Sequence, residues 1–360
     1  TKIMKTLFVS IASLSLLISA AKAGELTVSG TAKATYLVVN GAQDDNGIGV
    51  TNELNFTASG EMDNGYSWSY SMELDPNTTG DTATSPSNTP PGAALNDDTQ
   101  ISLKMNDLGT VKMCVSECSN GKEYAADQSV YTSMTDTGYS EGIVYPASES
   151  SYASLQYHTP ELPFGTTGSI AYGQKKADGQ SGNTTGQDTG AGNGANGNSI
   201  SAYSLVSKPV DGVTLHAMYY DINDYDDGLT NETQLEEGGA YAVEYASGNL
   251  SLGYGKSFKA PETTAAVTAG ATTVEYYENT LMSLAYAVND ALSVSYTREE
   301  GERNFQTSAT VAYDIEVDSI QVAYSLGGAT LSIARADYEN VGYANGVDAT
   351  DTIIAMTFAF

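Results

Sequence analysis

Residues 25–36 read ELTVSGTAKATY, and this stretch decides the class of fold. Polar and apolar side chains alternate along it, with Thr27 and Ser29 on one face and Leu26 and Val28 on the other. Successive side chains of a β-strand point to opposite faces, with a period of two residues. The stretch therefore predicts a strand that has one polar face and one apolar face.

The same alternation returns along the rest of the chain, between short turns rich in Gly, Asn, Asp and Pro and longer polar loops. Such turn residues supply the backbone angles that tight connections between antiparallel strands need. The connections alternate between short and long, and their number predicts about 16 strands. We place the strands at residues 24–40, 50–62, 65–75, 99–106, 109–115, 151–159, 166–176, 199–208, 212–222, 238–247, 249–258, 276–288, 290–299, 313–326, 328–339 and 350–360.

The first residues have the pattern of a secretory signal. Lys2 and Lys5 precede an apolar run over residues 7–20, and small residues follow the run. The run is shorter than the roughly 20 apolar residues that a membrane-spanning helix needs. We therefore predict a signal peptide at residues 1–23 that is removed on export, and one β-barrel domain at residues 24–360.

The composition excludes several classes of protein. The 360 residues include 44 acids and 15 Lys plus Arg, which gives a formal net charge of −29. A chain this acidic is a poor nucleic-acid binder, because phosphate contacts need clustered Lys and Arg. Two cysteines cannot form a disulfide-dense scaffold or a zinc site with four cysteine ligands.

Export, strand alternation and the two kinds of connection favour an outer-membrane protein. An even strand number, with short turns at one end and long loops at the other, is typical of outer-membrane barrels. We therefore predict an all-β fold, a transmembrane antiparallel β-barrel of about 16 strands whose outer face contacts outer-membrane lipid. A barrel of this size encloses an aqueous lumen. A secreted β-rich surface protein or adhesin is the alternative, because such a protein would also alternate.

The sequence also resembles the general porins of Gram-negative outer membranes. The resemblance rests on the signal pattern, the opening strand through Gly30 and Tyr36, the strand pair joined at residues 107–110, and the terminal alternating strand with Phe358 and Phe360. It implies a homotrimer, passive diffusion of small hydrophilic solutes and ions, and a third long loop that folds into the lumen. It further implies that the two phenylalanines are read by the barrel-insertion machinery, unless they only complete an apolar face.

The third long loop would span residues 116–150. The acids that we expect at the constriction are Glu117, Glu123, Asp127, Asp136 and Glu141. The resemblance sets such acids against bases on the facing wall, where Lys33, Lys104 and Lys112 have lumen parity. This basic wall is sparse, since no arginine precedes Arg298. Because acids dominate, we predict a cation preference, with a substrate-selective channel as the alternative function.

Two cysteines, Cys114 and Cys118, lie four positions apart at the start of this loop. The oxidising periplasm permits a disulfide, and a tight turn would bring the two sulfurs within reach. Two unbridged thiols are the alternative. A bond would fix the start of the constriction loop.

Three other local patterns suggest chemistry that the context does not support. Residues 138–142 fit a nucleophile elbow and residues 192–197 fit a dinucleotide fingerprint, but neither lies between a strand and a helix. We therefore predict no enzymatic activity and no cofactor. The oxygen-rich segment Asp221–Asp227 is a weak calcium candidate, because its spacing misses the EF-hand pattern.

Overall fold

The computed structural model describes residues 25–41, 45–75, 94–114, 118, 125–132, 142–146, 154–174, 199–223, 234–263, 273–307 and 310–360. These residues form sixteen β-strands and three short 3₁₀ turns, so the predicted strand number is confirmed. None of the helical turns among them is long and apolar enough to cross a membrane. The strands are β1 (Glu25–Gly41), β2 (Asp45–Glu61), β3 (Ser67–Asp75), β4 (Ala94–Lys104), β5 (Thr110–Cys114), β6 (Ser154–His158), β7 (Thr167–Gln174), β8 (Ser199–Val210), β9 (Val213–Asn223), β10 (Glu237–Ser247), β11 (Leu250–Ala260), β12 (Val274–Ala287), β13 (Leu292–Phe305), β14 (Ile315–Ser325), β15 (Ala329–Glu339) and β16 (Ala349–Ala359).

The strands form one closed antiparallel barrel. Each strand pairs with its neighbours in the chain, and β1 pairs with β16 to close the sheet. At the seam, Gly30 and Phe360 exchange two backbone hydrogen bonds of 2.8 and 3.0 Å. Gly30 has no room for a side chain, because a Cβ there would lie 2.6 Å from the carbonyl oxygen of Glu53. Closure leaves no open sheet edge, which is what the interior of a bilayer requires.

The distribution of side chains is the reverse of that in a soluble protein. On β14, Ile320 is 61% exposed, whereas its neighbours Ser319 and Gln321 are 0% and 1% exposed. Phe358 and Phe360 are also exposed on the outer surface, 44% and 66% respectively. Polar residues inside and apolar residues outside are typical of a barrel whose outer face contacts lipid. The insertion role of the two phenylalanines stays a prediction.

Several of the predicted loops are shorter than expected, including residues 76–98, because β4 begins at Ala94. The segment 41–49 was expected to be a long loop, but β1 continues to Gly41 and β2 begins at Asp45. Backbone pairing between Val39 and Asp45 extends the hairpin past the point where the apolar alternation ends. The β13 strand likewise continues to Phe305, through a charged stretch that the alternation assigned to a loop.

Ion pairs on the outer surface lie next to this charged end of β13. The guanidinium of Arg298 donates to a carboxylate oxygen of Asp318 at 3.0 Å and also to Glu316 on the adjacent β14. Lys256 of β11 also pairs with Glu278 of β12, which lies opposite Glu302 of β13. Backbone pairing with β12 continues to Phe305. A prediction based on hydrophobic period alone therefore ends the strand too early.

Candidate functional site

Beyond Cys118, two described segments of the third long loop lie inside the barrel. Residues 125–132 run across the lumen face of β10–β14, and residues 142–146 lie against the lumen face of β12–β16. The inward fold that the resemblance implied is therefore confirmed. We call the lumen face of β10–β14 the docking wall and the lumen face of β1–β5, on the opposite side of the barrel, the facing wall.

The loop contacts β11 of the docking wall at two glycines, which have no side chains. A Cβ placed on Gly253 would lie only 1.8 Å from the carbonyl oxygen of Ala126, and a Cβ on Gly255 would lie 2.9 Å from the Ala126 Cβ. Ala126 is buried with Ala242 and Leu281 in a small apolar cluster. A glycine in a strand interior often marks a close approach of another backbone, and here the two glycines of β11 seat the loop.

Serine side chains continue the contact along β12 and β13. The Gln128 backbone N–H donates to the Ser283 hydroxyl at 2.8 Å, and the Val130 N–H donates to the Ser295 hydroxyl at 3.0 Å. Buried backbone N–H groups need hydrogen-bond acceptors. The hydroxyls of the docking wall accept from loop N–H groups that have no partner in a strand or helix. The loop is held by its main chain at alternate residues.

One glutamine of β14 holds the end of the first segment. The Gln321 side-chain oxygen accepts from the N–H groups of Tyr131 and Thr132 at 3.0 and 3.2 Å. Its side-chain nitrogen donates to the Thr132 carbonyl oxygen at 2.7 Å. The Tyr131 ring then reaches β1, where the Lys33 Nζ lies 5.7 Å from the ring centroid. That distance is within the range of a cation–π interaction.

The second segment is held by both polar and apolar contacts. The Asn279 side chain donates to the Val144 carbonyl oxygen at 3.0 Å, and the Tyr145 hydroxyl donates to the Glu299 carboxylate at 2.6 Å. Ile143 and Val144 pack against a buried apolar cluster on β14–β16. Glu299 is itself buried, so its carboxylate is a structural anchor of the loop.

Asp127 is the predicted constriction acid that the structure describes. Its carboxylate accepts from the Ser129 N–H at 2.9 Å and lies 3.4 Å from the Thr297 hydroxyl, which donates to it. Burial raises the pKa of the Asp127 carboxyl, and these hydrogen bonds lower it by less. The acids that fall outside the described residues are Glu117, Glu123, Asp136 and Glu141.

The three predicted bases lie on the lumen face. Lys112 of β5 pairs with Gln156 of β6, whose buried side chain donates to the Cys118 carbonyl oxygen of the loop at 2.8 Å. Lys104 pairs with Thr110, which has the same parity as Lys112. Their electrostatic role stays a prediction.

The facing wall also carries an acid and many hydroxyls. Glu53 of β2 lies there and accepts a hydrogen bond from the Thr31 hydroxyl at 3.4 Å. The Ser69 and Ser102 hydroxyls are hydrogen-bonded to each other at 2.6 Å on β3 and β4. This wall therefore offers small polar groups and a few charges to whatever passes through the lumen.

The predicted cysteine pair and calcium segment are only partly described. Cys114 is buried at the end of β5 and Cys118 is half-buried in the loop, both as thiols, and the disulfide stays a prediction. Asp221 lies in β9, whereas residues 224–227 lie outside the described part. Within the described residues, no group of three or more His, Cys, Asp or Glu could hold a metal ion.

The barrel agrees with the comparisons to known proteins. The sequence model of a family described as Gram-negative porin matches residues 9–360. The chain belongs to this family. Comparison with curated proteins gave no match.

Solved porin structures share the fold at low sequence identity. Salmonella typhi OmpF in complex with daunomycin is 14% identical, with 94% of this chain and 98% of that chain covered and a TM-score of 0.66. Vibrio cholerae OmpT in its trimer form is 12% identical, with 94% and 100% covered and a TM-score of 0.63. An anion-selective porin from Comamonas acidovorans is 12% identical, with 94% and 100% covered and a TM-score of 0.59. This porin is thus an outer-membrane protein with a passive channel fold, which points away from enzymatic activity.

Several docking residues were not predicted from the sequence. Ser283 and Gln321 share their lumen parity with many other polar strand residues, so alternation alone does not distinguish them. The pair Gly253 and Gly255 on one face of a strand did carry a usable signal, because strand glycines mark close backbone approach. Part of the docking wall could therefore be predicted from the sequence, but the loop residue that contacts it, Ala126, could not.

Proposed function

We propose that this porin forms a water-filled channel for small hydrophilic solutes and ions, with a preference for cations. The observation that carries the proposal is the loop segment 125–132, fixed along the docking wall inside a barrel of sixteen strands. A segment held in the lumen narrows the path and leaves polar side chains of the facing wall along it. Such a path selects by size and by charge and needs no solute-binding step.

The distribution of charge supports the cation preference. The chain has a formal net charge of −29, and both Glu53 and Asp127 lie in the lumen. The lumen bases of β1–β5 are few and include Lys33. A negative potential raises the local concentration of cations and favours their entry. The fold does not set this sign, since an anion-selective porin from Comamonas acidovorans has the same architecture.

We also infer that the barrels assemble as a homotrimer after export directed by residues 1–23. The trimer form of Vibrio cholerae OmpT, which shares the fold, supports a threefold assembly. The outer surface carries exposed apolar side chains such as Leu26 and Val28, which need lipid or another subunit as a partner. Cross-linking of the protein in native membranes should give a species of three chains.

A bilayer recording tests the channel and its selectivity. Purified protein is inserted into a planar membrane, and the reversal potential is measured across a KCl gradient. We expect the sign of a cation-preferring pore, and an anion-preferring potential would contradict the proposal. A titration with sugars and amino acids separates the alternative of a substrate-selective channel, because saturable block by one class of solute would support that alternative.

A further inference from the structure

At the start of the inward loop, two cysteines lie beside the same strand, β6. Cys114 is the last residue of β5, where it is buried and pairs with Ser154 of β6. Residues directly opposite in an antiparallel pair have Cα atoms about 4.5–5.5 Å apart. The Cα atom of Ser154 on β6 therefore lies close to the Cα atom of Cys114.

The second cysteine is hydrogen-bonded to the next lumen-facing residue of β6, Gln156. The Gln156 side-chain nitrogen donates to the Cys118 carbonyl oxygen at 2.8 Å and to the Ser154 hydroxyl at 3.0 Å. Gln156 is 1% exposed, so this nitrogen is fixed in place. The Cys118 backbone and the cross-strand partner of Cys114 thus share one donor. Only three residues separate the cysteines, and bridged cysteines have Cα atoms about 4.4–6.8 Å apart.

We propose that the exported protein carries a disulfide between Cys114 and Cys118, which joins the start of the constriction loop to the end of β5. An outer-membrane protein passes through the periplasm, where disulfides form and persist. The bond would close a small ring next to Gln156. The first turn of the loop would then be held by a covalent bond as well as by a buried hydrogen bond.

The bond forms by thiol–disulfide exchange with an oxidant that is itself a protein disulfide. The thiolate of Cys118, the more exposed cysteine, attacks one oxidant sulfur, forms a mixed disulfide and releases the other oxidant sulfur as a thiolate. The Cys114 thiolate then attacks the Cys118 sulfur and releases the second oxidant sulfur. The two cysteines lose two electrons to the oxidant, and their two protons pass to its thiolates.

Mass spectrometry of the full chain from isolated outer membranes tests the bond. The protein is denatured in N-ethylmaleimide, with or without prior reduction. We expect no label and a mass about 2 Da below that of the dithiol before reduction, and two labels after it. Two labels without reduction would overturn the proposal, and so would a disulfide-linked dimer on a non-reducing gel.

Single variants provide the matched controls. Cys114→Ser and Cys118→Ser each leave one cysteine, which should take one label without reduction if the native partner is the other cysteine. If one variant stays unlabelled, its remaining cysteine is bonded elsewhere and the proposed pairing is wrong. A cysteine-free double variant should take no label under either condition.

Discussion

The docking wall and the facing wall both present polar side chains to the lumen, yet these side chains contact different partners. On the docking wall, Ser283 and Gln321 hydrogen-bond to the main chain of the loop. On the facing wall, Ser69 and Ser102 hydrogen-bond to each other, and Glu53 bonds to a threonine of the next strand. The loop covers the docking wall, whereas these side chains of the facing wall bond to neighbouring strands of the barrel.

This difference assigns separate properties to the two walls. The position of the loop, and with it the width of the path, depends on the docking wall. The charge along the path depends on Asp127 in the loop and on facing-wall residues such as Lys33. Changes in the docking wall should therefore alter conductance, and changes in the facing wall should alter ion selectivity with little effect on conductance.

The largest change in conductance should come from a side chain at Gly253. Gly253→Val would place a Cβ 1.8 Å from the Ala126 carbonyl oxygen, so the loop must move away from β11. We expect single-channel conductance to fall by roughly half, because a loop displaced from β11 moves further into the lumen and narrows the path. Bilayer recordings measure this fall.

A glycine with open space around it provides the control for Gly253→Val. A Cβ on Gly328 would meet no atom within 4 Å, so Gly328→Val should leave conductance unchanged. Heat-modifiable gel mobility shows that each barrel has folded. Wild-type conductance in a folded Gly253→Val channel would mean that the loop is not seated on this glycine.

Loss of the glutamine contact should have the next largest effect. Gln321→Ala removes three hydrogen bonds to Tyr131 and Thr132, at a cost of about 1–3 kcal/mol in the free energy of unfolding. Urea titration in detergent measures the cost, and open-channel current noise should increase as the loop end loosens. Gln100→Ala makes the same truncation on β4 of the facing wall. If it destabilises the protein equally, the distinction between the walls fails.

The barrel was predictable to a degree that the docking was not. Alternation, as around Ile320, can be read from residues adjacent in sequence. It predicted the strand bounds to within a few residues wherever the strand has an apolar face. It failed at Asp45 and near Phe305, where backbone pairing continues a strand without an apolar face. The contact of Ala126 with Gly253 joins residues far apart in sequence, so no local period reports it.

Asp127 should govern part of the cation preference. Asp127→Asn removes one negative charge in the lumen, and a charge at about 5 Å in water changes the energy of an ion by about 0.8 kcal/mol. We expect the cation-to-anion permeability ratio to fall by roughly threefold. Asp290→Asn at a short turn removes the same charge outside the lumen and should change the ratio much less.

The pH dependence of selectivity gives a second test of Asp127. Burial raises the pKa of this carboxyl, so as the pH falls it takes up a proton before an ordinary aspartate does. The difference between the wild type and Asp127→Asn should therefore be full at neutral pH and disappear at a pH above the usual aspartate range. A difference that persists until ordinary aspartates titrate would show that the carboxyl is exposed to the open pore.

The smaller of the two changes in ion selectivity should come from Lys33, because its ammonium contacts an aromatic ring. Lys33→Gln removes a positive charge from the facing wall and leaves Tyr131 fixed by Gln321. The cation preference should rise by roughly twofold, less than the full effect of an open lumen charge, because the ammonium already contacts the Tyr131 ring. Lys208→Gln, at an exposed position near a short turn, is the matched control. If Lys33→Gln also changed conductance as Gly253→Val does, Lys33 would be holding the loop, and support of the loop would extend to both walls.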